Sequence, residues 1–147
     1  MAPKPHSHRL RVGRHSEARR IYLVTAITKH RRPLFHSLSA ARCLIRVMHK
    51  EHYLGRADTL AFVVMPDHFH WLLELTGTAE LSRVMQAVKS VVAHHLGGTV
   101  WQDGFHDHAL RHEENLLKAA RYVVANPLRA GLVTRLGDYP HWDAIWL

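Results

Sequence analysis

Apolar and β-branched residues dominate Ile21 to Thr28, and this stretch predicts a first strand. After the loop His30-Arg31-Arg32-Pro33, either Ser37 or Ser39 can cap a helix. Its apolar positions Ala41, Leu44, Ile45, Val47 and Met48 keep the helical period to about Leu54, and Gly55 stops it. Thr59 to Met65 predicts a second strand and His68 to Leu75 a third. The Pro66-Asp67 turn leaves so little chain between them that they must be antiparallel neighbours. Thr78 can cap a second helix, about Ala79 to Leu96, ending at Gly97-Gly98. Val100-Trp101 and Ala109-Leu110 are short apolar pieces, and at least one supplies a fourth strand. Glu113 and Glu114 suit the positive end of a third helix that runs to about Ala125. Asn126-Pro127 ends or kinks that helix, and Leu128 to Val133 adds a further turn closed by Gly131. The aromatic tail Tyr139-Pro140-His141-Trp142 is expected to pack back on the body.

The order strand, helix, strand, strand, helix, strand, helix is an α+β plan. It specifies a split β-α-β, ferredoxin-like (RRM-like) antiparallel sheet with packed helices and an added C-terminal helix. The 147 residues suffice for one domain, here 20–147, preceded by an arm of residues 1–19 without apolar periodicity. Hydrophobic residues at 47% and charged residues at 22% exclude a disordered or fibrous chain. No run approaches the roughly 18 apolar residues of a membrane span, so no membrane association is expected. A single cysteine, Cys43, excludes an intrachain disulfide, fits a cytoplasmic location, and lies on the apolar side of its helix.

Charge changes this picture. Residues 1–32 hold nine basic side chains and one acidic one, which accounts for the whole net charge of +8. The other 115 residues balance at 11 and 11. A basic arm on a neutral body suits a phosphate backbone or an anionic surface. It equally fits a solvated tail.

Candidate chemistry centres on His68-Phe69-His70. Residues i and i+2 of a strand share a face, roughly 7 Å apart, so both imidazoles can converge on one divalent cation. Phe69, Trp71, Leu73 and Leu75 take the opposite, core-facing side. With 15 histidines in the chain, the spacing alone also fits two histidines on a half-exposed strand. In the third helix Tyr122 and Asn126, four residues apart, share a face. A tyrosine can attack phosphorus, and an amide oxygen can join two imidazoles on a metal. Taken alone, Tyr122 also fits a packed tyrosine and Asn126 a helix stop.

Two blocks carry a resemblance. Val63-Val64-Met65-Pro66-Asp67-His68-Phe69-His70-Trp71-Leu72-Leu73 resembles the signature of the HUH single-tyrosine transposases. Arg121-Tyr122-Val123-Val124-Ala125-Asn126-Pro127-Leu128-Arg129-Ala130-Gly131-Leu132-Val133 resembles their tyrosine helix, in the form found in REP-associated tyrosine transposases. Gly13-Arg14-His15-Ser16, Arg31-Arg32-Pro33-Leu34-Phe35, Trp101-Gln102-Asp103-Gly104-Phe105-His106-Asp107-His108 and Tyr139-Pro140-His141-Trp142 also match, in family order. Asp67 stands where the family more often has Asn.

The resemblance implies a metal-dependent endonuclease and strand transferase acting on single-stranded DNA near a hairpin. His68, His70 and Asn126 would bind Mg²⁺ or Mn²⁺, and Tyr122 would be the nucleophile that forms a 5′-phosphotyrosine link. Zinc fits less well, because the pair lacks a third His or Cys. Arg9, Arg11, Arg14, Arg19 and Arg20 would contact the hairpin, with Arg14 the candidate for specific recognition, and Arg31 and Arg32 would contact the backbone. Trp101, Phe105, His106 and His108 could stack on unpaired bases, although Trp101 also suits the core. Lys118 and Arg121 flank the tyrosine. Relatives of this kind work as monomers or as homodimers that share active sites. Three other readings fit some of these features: an active insertion-sequence transposase, a DNA-binding regulator that holds hairpins without cutting, and a metal-buffering histidine-rich protein.

Overall fold

The computed structural model describes residues 20–111 and 113–145. Nine regular elements follow one another: β1 (Ile21–Ile27), α1 (Leu38–Tyr53), β2 (Ala57–Met65), β3 (His68–Leu75), α2 (Leu81–Leu96), β4 (His106–Leu110), α3 (Glu113–Val124), α4 (Asn126–Arg129) and β5 (Trp142–Ala144). The strands form one antiparallel sheet in the order β4-β1-β3-β2-β5. The first four give the expected α+β, split β-α-β arrangement, with the histidine strand β3 at the centre.

Strand alternation divides the core in two. Tyr22, Val24, Ala26, Phe62, Val64, Phe69, Trp71, Leu73 and Leu75 face one side and are sealed by α1 and α2. Leu44 of α1 and Val88 of α2 are fully buried there, as is Trp71, whose indole N–H donates to Thr59 Oγ1 at 3.0 Å. Cys43 lies in the same layer. Leu44→Ala should cost about 3 kcal/mol of unfolding free energy, read from the urea midpoint at constant slope. The other face carries Ala61, Val63, Met65 and Leu72, and α3 covers it with Ala119, Ala120 and Val123.

Local chemistry explains where the elements end. Ser37 caps α1, its Oγ accepting from Ala40 N at 3.3 Å, and Gly55 at φ +73° turns the chain into β2. Thr78 does not cap α2. Its hydroxyl donates to Gly55 O at 3.2 Å, and the helix starts after Glu80 without a side-chain cap. Ala109-Leu110 belongs to the fourth strand, whereas Trp101 forms only an isolated bridge with Thr28. The aromatic tail adds a strand the sequence pattern did not indicate: β5 pairs with β2, and the Tyr139 hydroxyl donates to Val64 O at 2.5 Å. Burial pushes that phenol up to about 12. Among the described residues no helix is long and apolar enough to cross a membrane.

Candidate active site

Two walls meet over β3. The first is the strand itself, which presents His68 and His70 on the face that α3 covers, with their ring centres 5.0 Å apart. The second is the flank of α3. The apolar stripe Ala119, Ala120 and Val123 presses on the sheet and leaves Tyr122 at its edge, 47% exposed. The Tyr122 ring meets His70 edge-on with 5.6 Å between centres. The structure therefore brings His68, His70, Tyr122 and Asn126 together within a single chain.

Each histidine is oriented from behind. Asp67 Oδ1 lies 2.7 Å from His68 Nδ1. A carboxylate only accepts, so Nδ1 carries a proton and donates it, which leaves Nε2 as the ring nitrogen facing the site in the neutral tautomer. Asp67 Oδ2 also accepts from Arg31 Nη1 at 3.1 Å. Burial pushes the Asp67 carboxyl up, but the bonds from His68 and Arg31 outweigh it and hold the group below its usual range. The Pro66-Asp67 turn is itself fixed: Thr28 N donates to Asp67 O (2.9 Å), the Thr28 hydroxyl lies between Arg32 O (2.8 Å) and Asp67 O (3.1 Å), and Phe35 N donates to Pro66 O (2.9 Å). His70 Nδ1 lies 2.7 Å from Thr25 Oγ1, its register partner on β1. Burial drives the His70 imidazole down to about 3; His68 and Arg129 add to this, and a hydrogen bond with Asn126 opposes it. His70 is thus neutral at any physiological pH.

Asn126 has a local reason to stand where it does. Pro127 has no N–H to give Val123 O, and Asn126 Nδ2 donates there instead at 3.1 Å, and to Tyr122 O at 2.9 Å. With its amide nitrogen occupied by two backbone carbonyls, the side-chain oxygen is the atom left to meet His70.

The basic candidates separate. Arg9, Arg11, Arg14 and Arg19 lie outside the described residues. Arg20 leads into β1, where its carbonyl accepts from Leu75 N at 2.9 Å. Arg31 sits in a strained turn in which it and His30 both take positive φ, 50° and 57°. Arg32 is exposed and donates to Thr99 O at 2.6 Å. Lys118 and Arg121 are exposed on α3. Of the four candidates for base stacking, Trp101 and Phe105 are buried in the core, and Trp101 Nε1 donates to Lys89 O at 3.0 Å. His106 and His108 remain at the surface of the site.

Two residues escape sequence reasoning. Thr25 becomes legible only through strand pairing. Arg129, two helical turns beyond Tyr122, places its guanidinium carbon 4.3 Å from the centre of the tyrosine ring, and its Nη2 donates to Tyr122 O at 2.8 Å. The spacing of seven residues was the available signal.

The donor set suits a divalent cation only in part. Among the described residues no three His, Cys, Asp or Glu side chains converge. The chain offers two imidazoles and one amide oxygen, which leaves coordination positions for oxygens of a bound phosphate.

The chain is similar to known proteins of one kind. Residues 18–126 match the family model described as "Transposase IS200 like". The REP-associated tyrosine transposase of Escherichia coli (strain K12) is 30% identical over 82 residues, covering 54% of this chain and 50% of that protein. A putative REP-associated tyrosine transposase of Haemophilus influenzae is 24% identical over 107 residues, covering 62% of this chain and 60% of that one. The chain thus spans only about half the length of the curated relatives it matches. A solved REP-associated tyrosine transposase bound to a REP hairpin shares the fold with a TM-score of 0.78 at 22% identity, over 87% of this chain and 78% of that one. A putative transposase from Deinococcus radiodurans superposes with a TM-score of 0.54 at 21% identity, over 76% and 93%.

Proposed function

The chain belongs to the IS200-like transposase family, and from that premise we propose that it cuts and rejoins single-stranded DNA beside a REP-like hairpin through a covalent tyrosine link. The observation that carries this reading is Tyr122 standing against His70 on a sheet face where both histidines are pre-oriented.

Tyr122 Oη would give up its proton to solvent and attack the scissile phosphorus, and the bond to the 3′-oxygen would break. The leaving oxygen takes up a proton and becomes a free 3′-hydroxyl, while the phosphate stays on the tyrosine as a 5′-phosphotyrosine. Because the link keeps a phosphodiester, another 3′-hydroxyl can displace the tyrosine and rejoin strands without ATP. His68, His70 and Asn126 would hold the divalent cation, Mg²⁺ or Mn²⁺, which when bound supplies charge neutralisation and polarisation at the phosphate. The carboxylate of Asp67 fixes the tautomer of His68, and Thr25 fixes the ring of His70. Arg129 holds the nucleophile's ring from its open face. All of these side chains come from one chain, which supports a monomer as the working unit.

The test is a denaturing gel. The protein is mixed with labelled single-stranded DNA carrying a palindrome from beside its own gene, with Mn²⁺ or Mg²⁺. A protein-sized shift of the label that disappears with chelator is expected. Hairpin binding with no adduct and no cut strand, across several palindromes and both metals, would replace this reading by a binding-only one.

The arm of residues 1–19 would contact the hairpin through Arg9, Arg11, Arg14 and Arg19, with Arg20, Arg31 and Arg32 beside the body. Deleting residues 1–19 should weaken hairpin binding and flatten its dependence on salt concentration, as measured by titration at several ionic strengths. Asp67→Ala frees the His68 ring, and the Mn²⁺ concentration for half-maximal cleavage should rise by about 10- to 100-fold. An unchanged metal requirement would remove Asp67 from the site.

A further inference from the structure

Beside the tyrosine lies a groove that the metal-binding pair and the nucleophile do not account for. Its volume is about 320 Å³. Its floor is Leu23 and Thr25 of β1, one wall is His70 and Tyr122, and the other is His106 and His108 of β4. Register explains the second wall. His106 pairs with Thr25 and His108 with Leu23, so both imidazoles share the sheet face of His70. On this face the inner strands and the far end of β4 carry apolar side chains packed around α3, among them Leu72, Val63 and Leu110. At 106 and 108, beside the opening, the sequence has flat, polar-edged rings instead.

The geometry points to a nucleobase subsite: the groove seats the unpaired base next to the scissile phosphate, flanked by the rings of His106 and His108. This rests on the proposed function and specifies which part of the strand the body of the protein grips. Two observations favour a base over other occupants. The groove opens directly onto Tyr122, so a strand with its phosphate at the hydroxyl has a neighbouring nucleotide at this opening. The floor is largely apolar and the walls are ring-bearing, which suits stacking on a planar heterocycle. A cation on the β4 histidines is the competing occupant, because their spacing repeats that of His68 and His70.

The experiment reads binding rather than cleavage, so the two readings fail separately. 2-Aminopurine is scanned through the single-stranded flank of the palindromic DNA, in chelator, with the full-length protein. Fluorescence should fall at least twofold at one position within two nucleotides of the mapped cleavage site. His106→Ala/His108→Ala should abolish that quenching and weaken binding of the flanked hairpin about tenfold, leaving the bare hairpin unaffected. His106→Phe/His108→Phe, which keeps the rings and removes the nitrogens, should retain both. Quenching at no position, or quenching that survives the alanine pair, overturns the subsite. Phenylalanine variants that behave like the alanine pair overturn it in favour of a role for the imidazole nitrogens. Should the double alanine variant melt early, His108→Ala alone, at the more exposed position, gives the same comparison. An adduct on the denaturing gel without histidine-dependent quenching defeats only this inference; quenching without any adduct defeats only the cleavage reading.

Discussion

Tyr122→Phe should remove the covalent adduct altogether and slow strand cleavage by at least about 10³-fold, while hairpin affinity changes less than about twofold. The substitution deletes one oxygen. The ring stays, and with it the edge contact to His70 and the guanidinium of Arg129 over its face. Ala119, Ala120 and Val123, which dock α3, are untouched. Stability and DNA binding therefore report on the same fold, and the gel reports on the missing nucleophile. A variant that still forms a protein-sized label would show another residue attacking. A variant that cuts at the normal rate without an adduct would show water doing so. Tyr22 and Tyr139 are poor substitutes: Tyr22 is buried in the opposite layer, and the Tyr139 hydroxyl is committed to Val64 O.

His70→Gln should lower metal-dependent cleavage by at least about 10²-fold and, unlike Tyr122→Phe, change how stability responds to acid. Folded His70 resists protonation until about pH 3, whereas in the unfolded chain it titrates near its ordinary value of 6.5. Between these values the unfolded chain holds a proton that the folded chain refuses. Stability is therefore complete above about pH 6.5 and is lost as pH falls toward 3, at up to about 1.4 kcal/mol per pH unit from this residue. The glutamine variant lacks that slope. Urea midpoints at pH 7, 6, 5 and 4 in chelator should converge, with the wild type losing ground faster. Parallel curves would mean that burial of His70 is relieved before it titrates. The same burial keeps the imidazole neutral, so acid sensitivity and the metal binding proposed for His70 would come from one placement.

Much of this site was legible before the fold was known, and the reasons are specific. Period-two alternation placed His68 and His70 opposite Phe69 and Trp71, and the buried core face follows that pattern. Period 3.6 placed Tyr122 of α3 and Asn126, at the start of α4, on one flank, and the missing N–H of Pro127 turned a helix stop into a positioned amide. Contacts set by pairing between distant segments were not legible. Thr25 is 45 residues from His70, and only the β1–β3 register joins them. Asp67 read as a harmless variation from asparagine, because its value depends on a backbone turn aiming Arg31 at the same carboxylate. Phe105 read as a ring for base stacking, yet tertiary packing takes it into the core beside Trp101, whose core place the sequence did suggest. The tail gave no strand signal, since three residues are too few to alternate, and β5 forms only because the edge of β2 was waiting for a partner.

The place of β3 in the middle of the sheet gives the two halves of the site different clocks. Its amides are bonded to β1 on one side and β2 on the other, so they should exchange with deuterium only when the whole molecule opens. The tyrosine rides instead on a helix that is interrupted at Asn126-Pro127 and docked through a few small side chains. Its last-turn amides, around Tyr122, should exchange through local fraying, well before those of His70. The strand transfer proposed for this chain would benefit from that inequality. In the mechanism proposed above, the His68–His70 pair would stay still through successive exchanges, while the helix carrying Tyr122 would be the part free to move between one 3′-hydroxyl and the next.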